Sequence, residues 1–228
     1  MNGEGLAARQ AAEAYGLLRW PFLPLDPRAF PVLASEEFAA GARRLEQRFA
    51  GRSGVEVGAC GEAVRGLESA AAHEALYHGC FRGSAVISPF QTDYTSTHAF
   101  EQSRELADIG GFYRAFGLDA SAGGVDRSDH LAAELEYLCV LAWHEAEGHA
   151  SGDAERARVA RDARDKFLRE HAGRWFAEFA ARCRERGAPA LFAAAAALAA
   201  ALVGEALEAA GATPRPPAPA SLPMAGAP

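Results

Sequence analysis

The longest run of helical periodicity lies between Ser128 and Gly148. Leu131, Leu135, Leu138 and Ala142 recur there at steps of three and four, so they share one face. The spacing predicts one long helix. Ser128 is its expected N-cap, Asp129 falls in a first turn that favours negative charge, and Gly148 offers a stop. A second row, His130, Glu134, Leu138 and Leu141, sets an imidazole and a carboxylate beside the apolar stripe. A helix that only filled a core would not need an Asp-His pair at its entrance.

The same periodicity predicts further helices. One covers about Leu6 to Trp20, ahead of a bend rich in proline (Pro21, Pro24, Pro27, Pro31), which lacks an amide donor and restricts the residue before it. A second starts at Ser35-Glu36-Glu37 and runs to Phe49, and a third spans about Glu62 to Cys80 after a loop from Gly51 to Gly61. Arg82 to Thr97 has no clear period; its Val86, Ile87, Phe90 and Tyr94 must bury somewhere. A fourth helix is expected from Ala99 to Phe116, closed by Gly117. Beyond the long helix, one more runs to about Glu170. Phe167, His171, Trp175 and Phe179 then form an i+4 row suited to core packing, with Gly173 a point of bending or breakage. The last helix is expected from Pro189 to near Gly211, and Thr213 to Pro228 reads as a disordered Pro/Ala-rich tail. The pattern is all-α with about eight or more helices. It forms one domain over residues 1–212, with a lobe boundary, if there are two lobes, in the Gly-rich link near 119–127.

Composition narrows the class. Half of the 228 residues are hydrophobic, enough for a sizeable core. A formal charge of −7 gives no basic footprint for nucleic acid. Cys60, Cys80, Cys139 and Cys183 are far apart and form no Cys-x-x-Cys, so reduced thiols and a cytoplasmic location are expected. The apolar run from Ala188 to Val203 is mostly alanine and reads as a packed helix rather than a membrane span.

Candidate chemistry is sparse. His144 and His149 miss the spacing of a zinc-protease helix by one residue. No nucleophile elbow, Walker loop or dinucleotide fingerprint occurs. Taken alone, Asp129, His130 and Glu134 read as a capped, hydrogen-bonded helix start. The catalytic alternative is a helical metal-dependent hydrolase using Asp129, His130, Glu134 and His144.

The text around these residues resembles a known family. Asp129-His130-Leu131 followed by Glu134-Leu135-Glu136-Tyr137-Leu138 is similar to the signature of the TorD/DmsD/NarJ chaperones of molybdenum enzymes. Ser88-Pro-Phe-Gln-Thr-Asp-Tyr94, with Phe90 as a departure, and Glu105 to Leu118 resemble most closely the branch that serves type II DMSO-reductase-like enzymes, and Phe167 to Phe179 resembles a pattern of the family as a whole, with Ala172 as a departure. The resemblance implies a non-enzymatic cytoplasmic chaperone without cofactor or metal, a monomer or homodimer. Its partners would be the apo α subunit of a molybdenum enzyme and that subunit's twin-arginine leader. It implies client contact through Asp129, His130 and Glu134, with Asp93 adding charge and Leu135, Leu138, Phe90 and Tyr94 adding apolar lining. The expected surface is an uncovered apolar seam edged with acids. A permanent helical subunit of an enzyme complex is the remaining alternative.

Overall fold

The computed structural model describes residues 2–82, 87–118 and 127–216. Among them, eleven α-helices account for nearly all regular structure: α1 (Gly3–Leu18), α2 (Ala29–Leu33), α3 (Glu36–Arg48), α4 (Ala59–Arg65), α5 (Ala70–Phe81), α6 (Thr92–Thr95), α7 (Ala99–Ala115), α8 (Leu131–Ser151), α9 (Ala154–Glu170), α10 (Phe176–Glu185) and α11 (Ala190–Ala209). The architecture is an all-α bundle, as the periodicity predicts.

Local chemistry sets the helix starts. Asn2, Ser35, Ser69 and Asp153 each turn a side-chain oxygen onto an orphan amide of the first turn, at Gly5, Phe38, Ala72 and Arg156. Ser69 divides the expected third helix into α4 and α5. Gly117 and Gly152 adopt left-handed φ of 70° and 75° just beyond α7 and α8, where a side chain would be strained. Gly152, not Gly148, therefore stops α8. Gly148 serves packing instead: a Cβ there would lie 2.6 Å from the Ala157 amide nitrogen, so its bareness lets α8 and α9 close together.

α8 is the central element, and Leu131, Leu135, Leu138, Leu141 and Ala142 on it are fully covered. α1 runs antiparallel along it, with Gly16 against the Cys139 sulfur at one end and Glu4 3.7 Å from His149 at the other. α9 covers a second side. α11 has the length and apolar character of a membrane span, but 67% of its 18-residue apolar window is buried in the bundle, which marks it as a core helix. The row Phe167, His171, Trp175 and Phe179 is buried throughout. The helix breaks inside this row, at a 3-10 turn over Ala172–Arg174. A Cβ on Gly173 would sit 2.5 Å from the Leu168 carbonyl oxygen.

Residues 119–126 of the proposed lobe boundary and residues 217–228 of the proposed tail lie outside the described residues. The beginning of the tail is tied down: the Arg215 amide donates to the Arg169 carbonyl at 2.9 Å, and Arg174 Nε donates to the Arg215 carbonyl at 3.1 Å.

Candidate functional site

Among the described residues, the bundle's one β feature is an isolated antiparallel bridge between Phe90 and His130. The Gln91 amide donates to the Asp129 carbonyl and the Leu131 amide to the Pro89 carbonyl, both at 2.9 Å. This clips the unpatterned 87–95 segment onto the entrance of α8.

Asp129 holds the clip from behind and is fully buried. Its carboxylate accepts from the Thr92 amide at 3.1 Å and the Thr92 hydroxyl at 2.8 Å, so it satisfies the start of α6 rather than of α8. Arg127 closes the arrangement with two bonds, Nε to Oδ1 at 3.0 Å and Nη2 to Oδ2 at 2.8 Å. The N-cap of α8 is His130, not Ser128. The Ala132 amide donates to His130 Nδ1 at 3.1 Å. That leaves the ring proton on Nε2, which donates to the Tyr77 hydroxyl at 2.8 Å. Burial, with Arg82 and Arg127 nearby, pushes the His130 pKa down to about 3, so the ring is neutral at physiological pH.

Beside this corner lies a hollow of about 250 Å³. Pro24, Leu25 and Phe22 supply one wall from the bend after α1, and Tyr77, Phe81 and Arg82 a second from the end of α5. Pro89, Phe90, Arg127 and His130 complete it. The Phe90 and His130 rings meet edge to face at 5.3 Å, and the Arg127 guanidinium lies 4.2 Å from the Phe90 ring centre.

Of the residues proposed from sequence, the structure brings together Phe90 and His130 at the hollow, with Asp129 directly behind. The others go elsewhere. Glu134, Leu135 and Leu138 are enclosed, each with no exposed surface. Glu134 accepts from the Trp175 indole at 3.0 Å, and burial raises its pKa well above the usual carboxylate value, so it is a neutral carboxylic acid inside the core. Tyr94 does not line the hollow: it lies 5.3 Å from the Trp175 ring with Arg182 over its face, and its hydroxyl donates to the Ser88 carbonyl. Asp93 is exposed and bonds Ser88. The expected acid-edged lining is thus replaced at this corner by aromatic rings and two arginines. Tyr77, Phe22, Phe81 and Arg127 escaped the sequence reading because they come from separate elements with no shared period.

Carboxylates cluster instead around a larger polar cavity of about 610 Å³, bordered by Glu101, Glu105 and Asp108 of α7 with Glu170, His171 and Arg174. Arg174 pairs with Glu105 at 2.7 Å. Burial acts to raise the Glu105 pKa, but bonds from Thr95, Arg174 and Gln91 outweigh it and lower it. Gln91 Nε2 also reaches His171 Nδ1 at 3.2 Å. The 87–95 segment thus touches both cavities.

The residues of the metal-hydrolase alternative do not converge. Asp129 binds Arg127, His130 binds Tyr77, Glu134 binds Trp175, and His144 accepts from Arg156 at 2.9 Å. Among the described residues, no group of three or more His, Cys, Asp or Glu is placed to hold a metal ion.

The family described as "Nitrate reductase delta subunit" has a model that matches residues 35–181, well over half of the chain. The chain belongs to this family of NarJ/TorD-like chaperones. The matched span in this delta-subunit family member contains α3 to α9, the Phe90–His130 clip and most of the hollow's wall; the Phe22–Leu25 wall lies before it. No curated protein and no solved structure matches the chain.

Proposed function

We propose that this family member is a dedicated, non-catalytic chaperone for a type II DMSO-reductase-family molybdoenzyme. It binds the apo catalytic subunit in the cytoplasm, with the twin-arginine leader among the contacts, and assists cofactor insertion before export. One observation carries the reading: an open aromatic hollow stands at the Asp129–His130 corner, within a fold whose sequence belongs to a chaperone family. The groups at that corner are saturated with structural bonds. Asp129 and the neutral His130 hold shape rather than offer a reactive atom, which suits binding rather than turnover.

In this reading His130 and Phe90 touch the client, and Asp129 positions the segment that carries Phe90. Glu134, Leu135 and Leu138 support them from within the core. Reversible apolar contact of a few side chains gives moderate affinity once the ordering of the client is subtracted, which lets a chaperone release its client. The test is co-expression of the chain with a tagged apo catalytic subunit. Co-purification with the cofactor-free subunit, lost after cofactor insertion, is expected. Persistent stoichiometric association with the mature enzyme would instead identify a permanent subunit.

A further inference from the structure

We infer that Gln91 and Glu105 are positioning residues for the Phe90 wall of the hollow, and so tie that wall to the polar cavity on α7. Their bearing on client binding rests on the role proposed for the hollow; their hold on Phe90 does not.

The 87–95 segment is bridged to the start of α8 through its backbone, and Asp129 holds it at Thr92. A third hold comes from Gln91, which stands between Phe90 and Thr92 with no exposed surface. Its side-chain nitrogen donates to Glu105 Oε2 at 3.1 Å and to His171 Nδ1 at 3.2 Å. The His171 bond has one direction. Burial holds that ring neutral, and its Nε2 lies 3.2 Å from the Asp108 carboxylate, so the proton sits on Nε2 and Nδ1 accepts. Gln91 Oε1 has no hydrogen-bond partner among the described residues. The side-chain amide is therefore anchored through its nitrogen.

Glu105 is the firmer of the two anchors, because a hydrogen bond to an ionised carboxylate is roughly twice as strong as a neutral one. Burial works against its charge, but bonds from Thr95, Arg174 and Gln91 outweigh that. Arg174 Nη1 donates to Oε1 at 2.7 Å, and the Thr95 hydroxyl shares Oε2 with Gln91. The carboxylate thus gathers the 87–95 segment, α6 and the turn after α9, while it borders the polar cavity. Neighbouring Cα atoms are about 3.8 Å apart along a rigid peptide, so a shift of Gln91 carries Phe90 with it. The contacts of the Phe90 ring with His130 and Arg127 need that backbone held in place.

The experiment measures amide exchange by NMR in the full chain. The reporter is the Leu131 amide, bonded to the Pro89 carbonyl across the bridge; the reference is the amide of Leu138, enclosed in the middle of α8. Gln91→Leu and Glu105→Ala are each expected to speed exchange at Leu131 about tenfold and to leave Leu138 within about twofold. The double variant is expected to exchange no faster than either single one, since both remove the same link. Glu105→Gln loses the ion pair with Arg174 but keeps an oxygen for Gln91 and Thr95, and is expected to stay near wild type. Unchanged exchange at Leu131, equal acceleration at Leu138, or a Glu105→Gln variant as fast as Glu105→Ala overturns the positioning role. A second reading uses a fluorescein-labelled dodecapeptide with a Leu-Phe core flanked by serine, followed by polarisation at a temperature where every variant is folded. Gln91→Leu is expected to bind it about fivefold more weakly than wild type. Equal affinity, with faster Leu131 exchange, overturns the link between Phe90 and binding. If wild type binds no peptide, the client-binding reading of the hollow falls, and the exchange rates still decide the positioning role.

Discussion

The imidazole of His130 and the hydroxyl of Tyr77 meet at 2.8 Å, across 53 residues of sequence, and together wall the aromatic hollow. The bond fixes the histidine tautomer and joins the end of α5 to the start of α8. Tyr77→Phe leaves the Nε2 proton without its acceptor, in a site where His130 is 3% exposed. It is expected to lower stability by about 1–3 kcal/mol in urea unfolding, with the helical circular-dichroism spectrum unchanged.

His130 also makes the fold sensitive to acid. Its folded pKa of about 3 lies below the ordinary histidine value, so between the two the unfolded chain binds the extra proton. The stability it contributes is complete above about pH 6.5 and is lost as pH falls toward 3. His130→Asn keeps an oxygen to accept from the Ala132 amide but removes the titrating group. Unfolding free energy measured from pH 3 to 7 is expected to fall less steeply in this variant than in wild type.

Glu134 acts in the opposite sense. Its raised pKa means that the unfolded carboxyl ionises above about pH 4.5 while the folded one stays neutral, so stability drops as pH rises through that window. Glu134→Gln preserves an acceptor for the Trp175 indole without the cost of keeping an acid neutral. The variant is expected to match wild type near pH 4 and to exceed it at pH 7–8, as read by denaturant midpoints.

Much of the frame was legible in the sequence where signal and cause are local. The Ser35 cap with Glu36 and Glu37 marks α3, and Gly117 marks the end of α7, because each acts within a few residues. The start of α8 departs from the local pattern because histidine is an uncommon N-cap, and because the carboxylate of Asp129 is taken by Thr92, 37 residues away in sequence. The separation of Leu135 and Leu138 from the surface was equally hidden. Periodicity shows that residues share a face, not whether α1 and α9 cover that face. The i+4 row through His171 has the spacing of a core ridge and is buried as one, although its register crosses a 3-10 turn.

Two glycines on different helices, α8 and α5, give a contrast in packing. Gly148→Ala drives a methyl group toward the Ala157 backbone at 2.6 Å, whereas nothing lies within 4 Å of a Cβ at Gly79 in α5. Gly148→Ala is expected to destabilise by about 1–3 kcal/mol. Gly79→Ala is expected to stabilise by about 0.5–1 kcal/mol through helix propensity. Thermal melts of the two variants check both signs.

Asp129→Ala leaves the Thr92 amide and hydroxyl without their acceptor and Arg127 without its partner. A loss of about 2–4 kcal/mol is expected. Amide exchange should accelerate first at Thr92 and Gln91, the part of the clip that Asp129 holds. Uniform acceleration across the bundle would show that the corner has no separate role in holding the 87–95 segment.

The most direct measurement of the central claim is calorimetric titration of the apo catalytic subunit into wild type and into Leu25→Asp. Leu25 lines the hollow and is 53% exposed, so the substitution should leave the melting temperature nearly unchanged. The account predicts at least a tenfold loss of affinity for Leu25→Asp. An identical dissociation constant for the two proteins would place the client elsewhere and contradict it.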